Sequence, residues 1–164
     1  MPRERSSNRS PCHCITMRRA ATAITEFYDD AFQELGITTN QYSILINLYS
    51  LETATTSELA EKINLERSTL VRTLKPIMEK GWIEDLSSEG ARNRALTVSE
   101  AGKALIKQAK PIWRETQRKI KEYLGEENTE RLMELLYNCL LYTSTSLGGV
   151  SKKGRLFVRA EIYQ

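Results

Sequence analysis

Residues 55–83, TTSELAEKINLERSTLVRTLKPIMEKGWI, decide the fold. Their apolar positions recur at helical spacing in two short blocks separated by Asn64-Leu65, and a β-prone WI pair follows Gly81. Leu59, Ala60 and Ile63 of the first block face Leu70, Leu74, Ile77 and Met78 of the second, with small Ala60 permitting close approach. The second helix is expected from Glu66 to Lys80, stopped by Gly81 in the place of a C′ glycine. This pattern is a helix-turn-helix. It leaves Arg67, Ser68, Thr69, Arg72, Thr73 and Lys75 on the outer face of the second helix. Guanidinium and ammonium groups interleaved with short hydroxyls suit contact with both phosphates and base edges. In such a motif the second helix enters the major groove with its N-terminal residues at the bases.

Working outward, WIEDL (82–86) and ALTV (95–98) read as the strands of a hairpin, joined by the polar loop SSEGARNR (87–94). Arg92 and Arg94, two residues apart, are expected at its tip and on one side of it, as a backbone or minor-groove finger requires. Residues 56–98 hold seven basic and seven acidic side chains, so total charge does not decide between a DNA reader and a solvated face. The segregation of Arg67, Arg72 and Lys75 from most of the acids favours DNA. Towards the N-terminus, Cys14 to Leu35 is amphipathic and Gly36 stops it. Thr38 or Thr39 caps a second helix expected to bury Tyr42, Leu45, Ile46, Leu48 and Tyr49, and ETATT (52–56) reads as a polar connection. Beyond the hairpin, Ser99 starts a long helix to Tyr123, expected to kink at Pro111, and a last helix uses Leu132, Met133, Leu135, Leu136, Cys139 and Leu140.

The chain has 164 residues, 40% hydrophobic and 27% charged, which is enough for one core. The net charge of +3 is unevenly placed. Residues 1–19 carry five arginines against one glutamate, residues 150–164 carry four cations against one glutamate, and the body between is net acidic. No apolar run approaches the roughly 18 residues of a membrane span, and no apolar region follows the basic N-terminus, so a soluble cytoplasmic protein with no membrane partner is expected. In that setting Cys12, Cys14 and Cys139 are read as thiols. Cys12-His13-Cys14 lacks a fourth ligand, and adjacent side chains point apart, so no metal site and no cofactor are expected. The only histidine has no nucleophile or carboxylate motif around it and there is no glycine-rich phosphate loop, so an enzyme is not expected.

Three stretches in order, RRAATAITEFYDDAFQELGITTNQYSIL (18–45), SELAEKINLERSTLVRTLKPIMEKGWIE (57–84) and RALTVSEAGKALIKQAKPIWRETQ (94–117), resemble the MarR family of dimeric winged-helix transcriptional regulators. The resemblance covers roughly Cys12 to Leu140. It implies a mostly α fold with a small β-wing and long terminal dimerisation helices. Residues 1–11 are then a disordered basic arm, 12–147 the MarR-like domain, and 148–164 a tail. Within the domain, 38–98 form the winged helix-turn-helix, and 12–35 and 99–147 the dimerisation helices. Ser68, Thr69 and Arg72 fall on recognition-helix positions and Arg92 and Arg94 on the wing, alongside Arg67 and Lys75 from the residue reading. Where relatives commonly carry an aspartate bracing the wing, this chain has Gly90 followed by Ala91, and Asp85 holds a place often basic. A more mobile, weaker-binding wing is the expectation.

The function implied is a sequence-specific DNA-binding regulator acting as a repressor. A homodimer would sit on a pseudo-palindromic operator in double-stranded DNA and be released by a small-molecule or redox effector. Cys14 is similar in position to the sensing cysteine of the organic-hydroperoxide-responsive branch, where two tyrosines hydrogen-bond the thiol. Tyr28 matches one of them, and Arg18 stands at the other place. A packing role for Cys14 is the alternative. Phe32, Tyr42 and Trp113 are aromatic enough to line a cleft for a small aromatic effector, and equally suited to the core. The competing class is a winged-helix dimer that binds protein and no DNA.

Overall fold

In the computed structural model, which describes residues 11–87 and 94–146, local capping chemistry sets most element boundaries. Helix α1 (His13–Phe32) runs into a 3-10 turn (Gln33–Leu35), and Gly36 closes it at φ +63°, a left-handed conformation that costs glycine least. Thr38 starts α2 (Thr39–Leu51) with a capping box: its hydroxyl accepts the Gln41 N–H, and the Gln41 side chain accepts the Thr38 N–H. Thr55 and Glu58 repeat the device at the start of α3 (Thr56–Lys62). The chain reverses at Asn64, in the left-handed region at φ +52°, and enters α4 (Arg67–Glu79). Strands β2 (Ile83–Asp85) and β3 (Ala95–Val98) follow, then α5 (Glu100–Leu124), capped by the Ser99 hydroxyl, and α6 (Glu126–Ser146).

The fold is mostly helical with one small antiparallel sheet, as the resemblance implies. The sheet differs from expectation in one respect. Thr53–Thr55, read as a polar connection, forms strand β1, and the order is β1-β3-β2 with β3 central. Thr53 pairs with Thr97 and Thr55 with Ala95, while Ile83 pairs with Val98 and Asp85 with Leu96. The alternation puts Ala54, Ile83, Leu96 and Val98 inward. Thr97 donates its hydroxyl to the Glu52 carbonyl at 2.7 Å, which fastens the end of α2 to the sheet.

One core joins the elements, through Phe32, Leu45, Leu48, Leu59, Leu70, Ile77 and Leu96, all fully buried. Tyr49, expected inside, is half exposed, and Ile44 is buried instead. Leu48 beside it is fully buried and Leu51 beyond it packs against the core, so Tyr49 is exposed because it faces away from the core. Helix α5 continues through Pro111, which does not divide it. Two close joints tie the helix-turn-helix to the long helices. Gly102 of α5 sits against the Trp82 backbone, and Lys80 reaches back from the end of α4 to the Gly36 carbonyl at 2.7 Å, its ammonium 4.6 Å from the centre of the Trp82 ring. Among the described residues, no helix is long and apolar enough to cross a membrane.

Candidate nucleic-acid interface

The helix-turn-helix pair buries Leu59, Ala60, Leu70, Leu74 and Ile77, which fixes the roll of α4 about its own axis. With Leu70, Leu74 and Ile77 inward, helical periodicity turns Arg67, Ser68, Arg72 and Lys75 to solvent, and all four are exposed. Thr69 is half-buried, as is Thr73, whose hydroxyl is spent on the Thr69 carbonyl at 3.0 Å. Lys75 lies 3.9 Å from Glu79 one turn on, a solvent-exposed pair that competing phosphates can displace.

Arg67, Arg72 and Lys75 share a cleft of about 630 Å³ with Arg94. Its walls are α4 on one side and, on the other, Arg94 with the start of α3, where Thr55, Thr56 and Ser57 contribute. Val71, Leu74, Met78 and Leu96 add apolar surface between the cations. A concave, cationic groove with hydroxyls at its rim is suited to a polyanion. Val71, half exposed at 51%, is a site residue that the sequence reading missed. It stands four residues from both Arg67 and Lys75, so helical spacing alone places it in their stripe, where an apolar side chain meets a thymine methyl. Thr55 was hidden because the stretch before α3 read as a connection, and Ser57, at the start of the first helix of the pair, was not singled out.

Arg94 is not at the tip of a hairpin. It directly precedes β3, at the base of the wing, and is ion-paired with Asp85, its Nε 2.8 Å from Oδ2. Asp85 Oδ1 accepts the Ser87 N–H at 3.0 Å, and the Ser87 hydroxyl accepts the Ala95 N–H at 2.7 Å. These bonds hold the Asp85 carboxyl below the usual carboxylate range, the Ser87 contacts contributing most and Arg94 adding to them. Arg92, Gly90 and Ala91 lie outside the described residues.

The remaining expected site residues are spread through the molecule. Cys14 is exposed in the first turn of α1, and Tyr28 is buried on the same helix. Fourteen residues of helix separate them by roughly 21 Å, so they can meet only between two chains. Burial raises the Tyr28 phenol to about 12, which keeps it a protonated donor across physiological pH. Phe32 and Tyr42 are core residues with ring centroids 5.1 Å apart, and Trp113 is half-buried against the same core. A ligand taken up between them would have to part the two rings. Among the described residues no cluster of three or more His, Cys, Asp or Glu side chains is placed to hold a metal ion.

Comparison with known proteins supplies the context for this geometry. The family model described as the MarR family matches residues 37–92. The organic hydroperoxide resistance transcriptional regulator of Bacillus subtilis is 30% identical over 96 residues, covering 58% of this chain and 65% of that protein. YwoH of the same organism, an uncharacterised HTH-type transcriptional regulator, is 26% identical over 93 residues, 57% of this chain and 66% of its own length. The chain thus spans slightly less than two thirds of these curated relatives. Among solved structures, the M. tuberculosis transcriptional regulator MosR in complex with DNA is 32% identical, with a TM-score of 0.62 over 78% of this chain and 98% of that one. A mutant MarR from E. coli complexed with operator DNA superposes at a TM-score of 0.71 over 77% of this chain and 92% of that one, at 19% identity, a likeness of fold alone.

Proposed function

The chain belongs to the MarR family of winged-helix transcriptional regulators, and from that premise we propose that it is a homodimeric repressor. Its two α4 helices would enter successive major grooves of a pseudo-palindromic operator, roughly one helical turn apart. The observation that carries the reading is the cleft that gathers Arg67, Arg72, Lys75 and Arg94 onto one concave surface, although their segment has no excess of positive charge. Ser68 and Thr69 would read base edges beside them, and Arg92 would extend the contact from the wing.

The dimer reading rests on exposed apolar side chains of the terminal helices. Ile24 and Phe27 of α1 and Leu132, Met133, Leu135 and Leu136 of α6 are all exposed on the single chain, and apolar surface of this extent marks contact with a partner. Residues 12–35 and 99–147 would be the dimerisation helices around a winged helix at 38–98. Release follows if an effector favours a spacing of the two heads that no longer matches the operator. Two triggers fit. One is a small aromatic molecule that opens the Phe32, Tyr42 and Trp113 cluster. The other is hydroperoxide oxidation of Cys14, with Tyr28 of a second copy as its hydrogen-bond donor.

The test is the salt dependence of binding to duplexes enriched from a random-sequence library by the wild-type protein. Each lost phosphate contact flattens the slope of log K against log salt by about one unit. Arg72→Ala and Lys75→Ala are expected to do so separately, with thermal stability preserved. Unchanged slopes in both variants would refute the interface and favour a winged-helix dimer that docks protein.

A further inference from the structure

Asp85 is an anomaly on a surface that attracts phosphates. It ends β2 with its side chain 19% exposed, while Arg94, across the mouth of the wing, is 60% exposed. Asp85 Oδ1 accepts the Ser87 N–H at 3.0 Å, and Oδ2 is ion-paired with Arg94, 2.8 Å from its Nε. The Leu86 N–H to Ala95 carbonyl bond at 2.8 Å and the Ala95 N–H to Ser87 hydroxyl bond at 2.7 Å close the same ring of contacts. We propose that Asp85 is a positioning residue for DNA recognition. It pairs with the Arg94 guanidinium and holds it on the cleft shared with Arg67, Arg72 and Lys75, where the group faces the nucleic acid. The proposal rests on the DNA-binding reading of that cleft.

The contrast in exposure carries the argument. Asp85 is 19% exposed and anchored by the Ser87 N–H, while the Arg94 side chain paired with it is 60% exposed and lines the cleft, where a guanidinium matches a phosphate or a guanine edge. An arginine on a loop shoulder otherwise samples many rotamers, and ordering them on binding lowers both affinity and discrimination. Asp85 itself is held by the sheet, whose register fixes it opposite Leu96.

Asp85→Asn separates positioning from charge. The amide oxygen can still accept the Ser87 N–H, while its NH2 turns a donor towards Arg94 Nε and breaks the grip. The measurement is the dissociation constant, at one salt concentration, for a library-enriched duplex of about 30 base pairs and for an unselected random duplex of the same length, two half-sites with flanks. Wild type, Asp85→Asn, Arg94→Ala and the double variant are compared. Asp85→Asn is expected to lower the preference for the enriched duplex about tenfold, with random-duplex binding unchanged or tighter because a negative charge has gone. In the Arg94→Ala background the same substitution is expected to change the preference little. A preserved preference, or an equal loss with Arg94 already removed, overturns the positioning role. Equal tightening on both duplexes shows that Asp85 masks Arg94, and also overturns it. Wild type that prefers neither duplex overturns the DNA-binding reading itself, and the inference with it.

Discussion

Replacing Gly102 by alanine sets two effects of similar size against each other, and the structure decides between them. In an open helix the change is favourable by about 1 kcal/mol, because glycine loses more backbone entropy than alanine. Here a Cβ would stand 2.2 Å from the Trp82 carbonyl oxygen, 2.7 Å from Val98 Cγ1 and 3.1 Å from the Trp82 carbonyl carbon. The carbonyl is poorly placed to yield. It accepts the Ser99 N–H at 3.1 Å, and the Ser99 hydroxyl is itself bonded to the Gly81 carbonyl at 2.6 Å. The start of α5 would have to retreat by about 1 Å to restore van der Waals contact. Overpacking of this kind costs about 3 kcal/mol at a site that cannot relax, so the net loss is about 2 kcal/mol. For a chain of this size the melting temperature should fall by roughly 4–8 °C. Differential scanning calorimetry of Gly102→Ala beside wild type reads it directly, with Ala104→Gly, at an exposed position of the same helix, reporting the propensity term alone. A melting temperature equal to wild type or above it would refute the reasoning, since it would mean that the helix start moves freely against the sheet.

Glu52 has φ +59° and ψ −56°, a strained backbone for a residue with a Cβ, held in place by the Thr97 hydroxyl. Glu52→Gly should therefore raise the unfolding free energy by roughly 0.5–1 kcal/mol, once the entropy of the unfolded glycine is set against the relieved strain, and shift the urea midpoint upwards; a lowered midpoint would count against the strain. Leu135→Glu on α6 should weaken self-association at least a hundredfold, about 3 kcal/mol, by forcing a charge into an apolar contact. Sedimentation equilibrium checks this, and a variant that remains as dimeric as wild type would remove α6 from the interface.

The helix-turn-helix was legible because its signals are local and agree: an inward stripe on each helix, the Asn64 reversal, the glycine after Lys80. Other features depend on partners distant in sequence. Thr53–Thr55 is too short and too polar to show a strand, and it becomes one only because Thr97 and Ala95 lie opposite. Tyr49 follows the periodicity of a buried face, yet Leu48 and Leu51 on either side of it pack into the core while Tyr49 is half exposed, a choice of face that no period within α2 encodes. Arg94 looked like a tip residue because the loop before it was counted as part of the finger. Its partner Asp85 is nine residues back, and Asp85 by itself looked only like an acid in the wrong place. The cleft was not legible either, since Thr55 reaches it from a stretch that the pattern treats as a linker and Arg94 from beyond a long polar loop.

The two joints between the reading head and the long helices constrain how any signal could travel. At Gly102 the start of α5 is wedged against Trp82 at backbone distance, and at Gly36 the end of α1 is clasped by Lys80, the residue that ends α4. Trp82 belongs to both, under the Lys80 ammonium through its ring and against Gly102 through its carbonyl. Sliding α4 within the chain would break the Lys80 hydrogen bond and the cation–π contact together, and sliding α5 would drive it into a carbonyl already engaged by Ser99. In the proposed dimer, motion of whole chains against each other would break neither joint. An effector would then have only to change the angle between two rigid protomers to change the spacing of the α4 helices. On that reading the regulatory free energy would reside in the contact between copies, where small shifts of closely packed side chains switch between discrete arrangements instead of deforming continuously.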